Sequence, residues 1–157
     1  MKRDVTPEEM LVRMAGLCAG AEQCSADVRE KILKKGFSSD DADKMIGYLT
    51  RHKYIDDSRY ARAYAADKVR FSGWGRMKIR MHLRSKRLPD DVISQGLGYI
   101  DETDYIESLR KVLFSKAKGL ELTEVSDRQK LFRHLASRGF ESELIIREMK
   151  EYAKRNH

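Results

Sequence analysis

Proline and cysteine each occur twice in the 157 residues and tryptophan once. No apolar run approaches the ~18 consecutive residues of a membrane span. β-Branched residues are sparse, which argues against long sheets. The N-terminus has no apolar stretch followed by a small-residue cleavage site, so no secretory signal is expected. Cys18 and Cys24 are too few for a disulfide framework and match no zinc spacing. They read as reduced, partly buried thiols of a cytoplasmic protein. No phosphate-binding loop or dinucleotide fingerprint is present, and Gly73-Trp74-Gly75 is neither. His52, His82, His134 and His157 are scattered, with no carboxylate or cysteine at ligand spacing. Without a nucleophile–base pair or a metal cluster, no enzyme is expected.

What is present is charge, unevenly placed. The formal net charge is +7. The segments 1–61 and 88–157 are close to neutral. The segment 62–87 carries Arg62, Lys68, Arg70, Arg76, Lys78, Arg80, Arg84, Lys86 and Arg87 against Asp67 alone, which accounts for the whole excess. Such a patch attracts a polyanion or an acidic protein surface over roughly 8–10 Å at moderate salt.

The apolar residues fall at helical spacing nearly throughout. Pro7, Glu8 and Glu9 suit a first turn, with Leu11, Met14 and Cys18 along one face. Ser25 reads as the cap of a second helix with Val28, Ile32 and Leu33 inward, and Gly36 as its left-handed stop. Ser38 reads as the cap of a third, with Ala42, Met45, Ile46 and Leu49 inward.

This pattern recurs. The triplets Lys35-Gly36-Phe37, Lys86-Arg87-Leu88 and Arg138-Gly139-Phe140 lie 51 and 52 residues apart. Nine and five residues before the last residue of each stand Val28 and Ile32, Ile79 and Leu83, Leu131 and Leu135. Five and nine residues after it stand Ala42 and Ile46, Ile93 and Leu97, Ile145 and Met149. All twelve are apolar, at the spacing of a buried helix face. A second echo, Tyr54-Ile55-Asp56-Asp57 against Tyr99-Ile100-Asp101-Glu102, is offset by 45, so the first unit carries about six extra residues after its third helix. The third unit regains a similar number around Gly119 to Val125. The fold expected is all-α: three tandem three-helix repeats, 1–55, 56–101 and 102–157, in an elongated, curved array.

Within the basic segment, Arg76, Arg80, Arg84 and Arg87 form one stripe beside the seam of Ile79 and Leu83, with almost no acidic residue at helical spacing to neutralise it. Arginine's planar fork suits phosphate or carboxylate. Reversing all four charges is expected to spare the fold while weakening partner binding. Lys78 falls on another face and Lys86 close to the seam. Trp74, between two glycines, is either displayed for stacking or plugged between units.

The run Ile55-Asp56-Asp57-Ser58-Arg59-Tyr60-Ala61, the turn and helix Gly75-Arg76-Met77-Lys78-Ile79-Arg80-Met81-His82-Leu83, and Arg138-Gly139-Phe140 together resemble the RecX family, regulators of RecA, from about residue 6 to 153. Where RecX sequences usually have Lys-Gly before an aliphatic residue, this chain has Lys86-Arg87-Leu88-Pro89, so Pro89 is expected to force the turn. The resemblance implies tandem three-helix repeats and a regulator without a cofactor, and a cytoplasmic monomer is expected. It implies lodging in the groove of the RecA–DNA filament, suppressing ATPase, strand-exchange and co-protease activities, with weak non-specific contact to single- or double-stranded DNA. A stand-alone helical DNA- or RNA-binding module is the alternative that the residues themselves leave open.

Overall fold

Four of the helices begin where the preceding side chain accepts from an otherwise unpaired amide. The computed structural model describes residues 5–156; residues 1–4 and 157, at the outer bounds of the first and third units, lie outside the described residues. Thr6 and Glu9 form a reciprocal cap on α1 (Pro7–Gly20). Met10, Met14 and Cys18 are its buried residues, so the inward stripe runs through Met10, and Leu11 is only half-buried. Ser38 accepts from the Asp41 amide to start α3 (Ser39–Arg51). Asp56 and Asp101 do the same for α4 (Asp57–Ser72) and α7 (Glu102–Ala117). The remaining helices are α2 (Ser25–Lys34), α5 (Arg76–Ser85), α6 (Asp90–Gly98), α8 (Val125–Ser137) and α9 (Ser142–Arg155), and no strand occurs among the described residues. One expected cap is corrected. Ser25 is the first residue of α2, Cys24 precedes it, and the Ser25 amide is served from another unit.

The three triplets end α2, α5 and α8 in the same way. Gly36, Arg87 and Gly139 have φ of 97°, 63° and 95°, and Phe37, Leu88 and Phe140 fold back into the core. The middle stop therefore differs from expectation. Arg87 itself takes the left-handed conformation, at a cost of about 1 kcal/mol for a residue with a Cβ. Pro89 then stands, extended, at the start of α6. The extra residues of the first unit are partly helix: α3 has 13 residues where α6 has 9.

Of the twelve repeat positions, ten are buried; Ile46 and Met149 are half-buried. Helix α3 packs on α1 and α2, α4 and α5 on α6, and α7 on α8 and α9. The cores do not number three, however. One cluster joins α1, α2, α3 and Ile55. The other runs unbroken through α4–α9 and takes in Cys24 from the first set. Helix α4 packs on α7 to make that continuity. The accessible surface of 9881 Å² exceeds the ~8,100 Å² of a compact globule of this mass, as thin tandem units require.

Candidate functional site

The basic segment sits between two junctions, and each consumes part of its charge. At the junction of the first and middle helix triplets, Ile55 is buried in the α1–α3 core while Asp56 caps its own helix. Asp57 reaches back instead: its carboxylate accepts from the Ser25 amide at 2.9 Å and the Ser25 hydroxyl at 2.6 Å. It thus caps α2 from α4, with negative charge at a helix N-terminus. Tyr60 and Cys24 are buried in the same cluster, and burial pushes their ionisations up to about 12 and about 11. Ala61 marks the closest approach of α4 to α6, where a Cβ at Gly96 would stand 2.9 Å from its methyl. Lys86 crosses to Asp27 at 2.8 Å, and that bond raises its pKa; Arg59 pairs with Glu22.

At the second junction, two helix ends meet. The Gly75 amide donates to the Arg138 carbonyl at 2.7 Å, and the Met77 amide to the Gly139 carbonyl at 3.0 Å. Unpaired amides of α5 and unpaired carbonyls at the end of α8 therefore satisfy each other. Only glycine fits. A Cβ at Gly75 would overlap the Gly139 carbonyl and the Phe140 nitrogen, and one at Gly139 would meet Lys78. The Arg138 guanidinium donates to the carbonyls of Ser72 and Gly73.

Arg76 closes this junction. It pairs with Glu141 at 2.8 Å and Glu102 at 2.5 Å, and its guanidinium lies 3.8 Å from the centre of the Tyr105 ring. The Tyr105 hydroxyl donates to Glu141 and accepts from the Arg76 amide at 2.9 Å. Burial, then the bond to Glu141, raises the tyrosine's pKa. Reversing Arg76 would put a third carboxylate beside Glu102 and Glu141. The expectation that all four stripe arginines can be reversed with the fold intact is therefore corrected: Arg76 belongs to the clamp.

The other basic residues spread over the two helices. Arg62 covers Tyr99 at 4.1 Å, and Arg70 lies 3.8 Å from Asp104. Trp74 is half-buried within its own triplet, packed on His82 and edge-on to Tyr64, with Lys68 and Lys78 over its ring at 4.8 and 4.6 Å. It is neither a free platform nor a plug between triplets. The half-buried Arg80 donates to the Ser94 hydroxyl at 3.2 Å, and the exposed Arg84 pairs with Asp90 at 3.0 Å. Among the described residues, Arg62, Lys68, Lys78, Arg80 and Arg87 have no carboxylate at ion-pair distance. Met77 and Met81 stand out on the solvent side of α5, 61% and 67% exposed. Helix α5 thus shows solvent two flexible apolar side chains, and α4, α5 and the turn after α5 together carry five cations without a carboxylate partner.

The described residues contain no group of three or more His, Cys, Asp or Glu that could hold a metal, and no helix long and apolar enough to cross a membrane. Comparison with known proteins points one way. Residues 56–97 match the model for the RecX second three-helix domain, and residues 102–148 that for the third. The regulatory protein RecX of Chlorobaculum tepidum is 32% identical over 129 residues, 82% of this chain and 79% of that one. That of Prosthecochloris aestuarii is 29% identical over 150 residues, 94% and 96% of the two chains. A crystal structure of RecX from Lactobacillus salivarius superposes with a TM-score of 0.81 at 17% identity, over 92% of this chain and 95% of that one, a likeness of fold.

Proposed function

This chain belongs to the RecX family, and on that premise we propose that it binds the RecA–DNA filament and restrains its ATPase, strand exchange and co-protease activity. Its relatives are named regulatory proteins, and it is a regulatory protein rather than an enzyme. The observation that carries the reading is the surface of α4 and α5: it holds five cations without carboxylate partners, and α5 exposes Met77 and Met81. Cations of this kind suit a surface of acidic protein and phosphate, and exposed methionines adapt to an irregular partner. Arg76 and Lys86 serve a different end, fixing α5 between its neighbours. Contact with DNA on this surface is electrostatic and salt-sensitive, without sequence preference, and the protein acts as a monomer in the cytoplasm.

The test is the ATPase of RecA from the same organism on single-stranded DNA, with this protein titrated in. Suppression at stoichiometric levels is expected. Changing Arg80, Arg84 and Arg87 together to Glu, with Arg76 retained, keeps the helical circular dichroism and weakens suppression at least tenfold. An ATPase untouched by the unaltered protein refutes the reading. Tight, sequence-selective duplex binding without RecA would support a stand-alone nucleic-acid module instead.

A further inference from the structure

The third helix triplet has only a small net charge, twelve basic against ten acidic side chains over 102–157, yet the structure separates its signs. On α7 the first turns carry Glu102, Asp104 and Glu107, and the second half carries Arg110, Lys111 and Lys116. Arg110 pairs with Glu148, while Lys111 and Lys116 face a groove of about 490 Å³ between the end of α4, α7 and the end of α8. Arg70, Lys111, Lys116, His134 and Arg138 line it together with Ser108, whose hydroxyl is held by the Val69 carbonyl, and Ser115, and no carboxylate lines it. The positive field is felt inside: burial first, then Lys116 and Arg138, lowers the pKa of His134. On the rim stands Phe71, 77% exposed at the last turn of α4.

We propose that this groove is a second binding site, for single-stranded nucleic acid, with Lys111, Lys116 and Arg70 on the sugar–phosphate backbone and Phe71 stacked on an unpaired base. A cationic channel beside an exposed aromatic ring is the arrangement that tracks a single strand without reading its sequence. A duplex hides its base faces, so Phe71 gives the groove its preference for unpaired strands. The site is distinct from the α5 surface, lying across the α4–α7 contact, and it does not depend on the filament reading.

The test uses the full chain alone, with fluorescein-labelled oligo(dT), oligo(rU) and a duplex of equal length, by anisotropy across a salt series. Lys111 and Lys116 are exposed, so Lys111→Glu with Lys116→Glu is expected to keep its circular dichroism. It weakens oligo(dT) binding at least tenfold and flattens the salt slope by about one to two counter-ions. Phe71→Ala weakens oligo(dT) about tenfold and leaves the duplex within twofold. The dT and rU arms show whether the DNA or the RNA strand binds more tightly, and either preference supports the site. On the unaltered protein, oligo(dT) raises the His134 titration midpoint followed by NMR. The proposal is overturned if both variants bind oligo(dT) within twofold of the parent, or if His134 does not move. It is equally overturned if oligoglutamate competes as well as oligo(dT) of equal charge and Phe71→Ala has no effect, which would assign the groove to an acidic polypeptide.

Discussion

Replacing Gly75 with alanine adds one methyl group and tests how α5 is held. That methyl would overlap the Gly139 carbonyl and the Phe140 nitrogen, both backbone, so no side-chain rotation relieves it. Restoring ordinary van der Waals separation moves the start of α5 away from the end of α8 by roughly 1 Å. A shift of that size breaks the Gly75–Arg138 and Met77–Gly139 hydrogen bonds, now 2.7 and 3.0 Å long. Losing two backbone bonds at about 1–2 kcal/mol each puts the expected cost near 3 kcal/mol. Gly16 is the matched control. It lies inside α1 with open space where its Cβ would be, so Gly16→Ala gains about 1 kcal/mol of helix propensity. Urea unfolding followed through Trp74 fluorescence reads the body that contains the junction, with far-ultraviolet circular dichroism in parallel. At a slope of about 2 kcal/mol per molar, Gly75→Ala lowers the Trp74 midpoint by roughly 1.5 M. A midpoint within about 0.3 M of the parent would refute the interlock.

Two further substitutions separate stability from charge on the middle triplet. Arg87→Gly relieves the left-handed strain and raises the melting temperature by a few degrees, for a gain of about 0.5–1 kcal/mol, while weakening filament binding through the lost cation. Calorimetry beside the ATPase titration checks both signs. Ser94→Asp gives Arg80 a carboxylate within reach and removes no basic residue; suppression of RecA is expected to weaken about threefold as salt sensitivity falls. Unchanged suppression would take Arg80 out of the contact.

The helices and their seams are legible in the sequence because burial repeats every three to four residues, and the stops because glycine marks two of three. Arg87 escapes that logic: its left-handed turn is imposed by Leu88 folding into the core and Pro89 starting the next helix, not by its own preference. The site is less legible. Asp56 and Asp57 look alike at a helix start, and only the fold shows that the second caps a helix 32 residues earlier. The carboxylates of Arg76 lie 26 and 65 residues away, beyond any spacing rule, so a stripe judged unpaired by its near neighbours is clamped at one end. The groove under Phe71 is invisible because summing charge over the third triplet cancels what α7 keeps apart.

The repeat itself accounts for why the middle triplet is the basic one. Offsets of 51 and 52 residues place Arg29, Arg80 and Phe132 at equivalent points on α2, α5 and α8, and Asp43, Ser94 and Ile146 opposite them on α3, α6 and α9. In the first triplet the two sites form an ion pair at 2.8 Å. In the middle one the arginine meets a hydroxyl at 3.2 Å. In the third, Phe132 and Ile146 line an apolar groove. The inward positions are held apolar by burial, although the side chain at each differs between triplets. The pair facing solvent is free to vary, and it has become neutralised, cationic and apolar in turn. The excess of charge in the middle triplet thus comes as much from missing acids as from added bases: where the first triplet balances its arginine with Asp43, the middle one leaves Arg80 with a serine and its charge available to a partner.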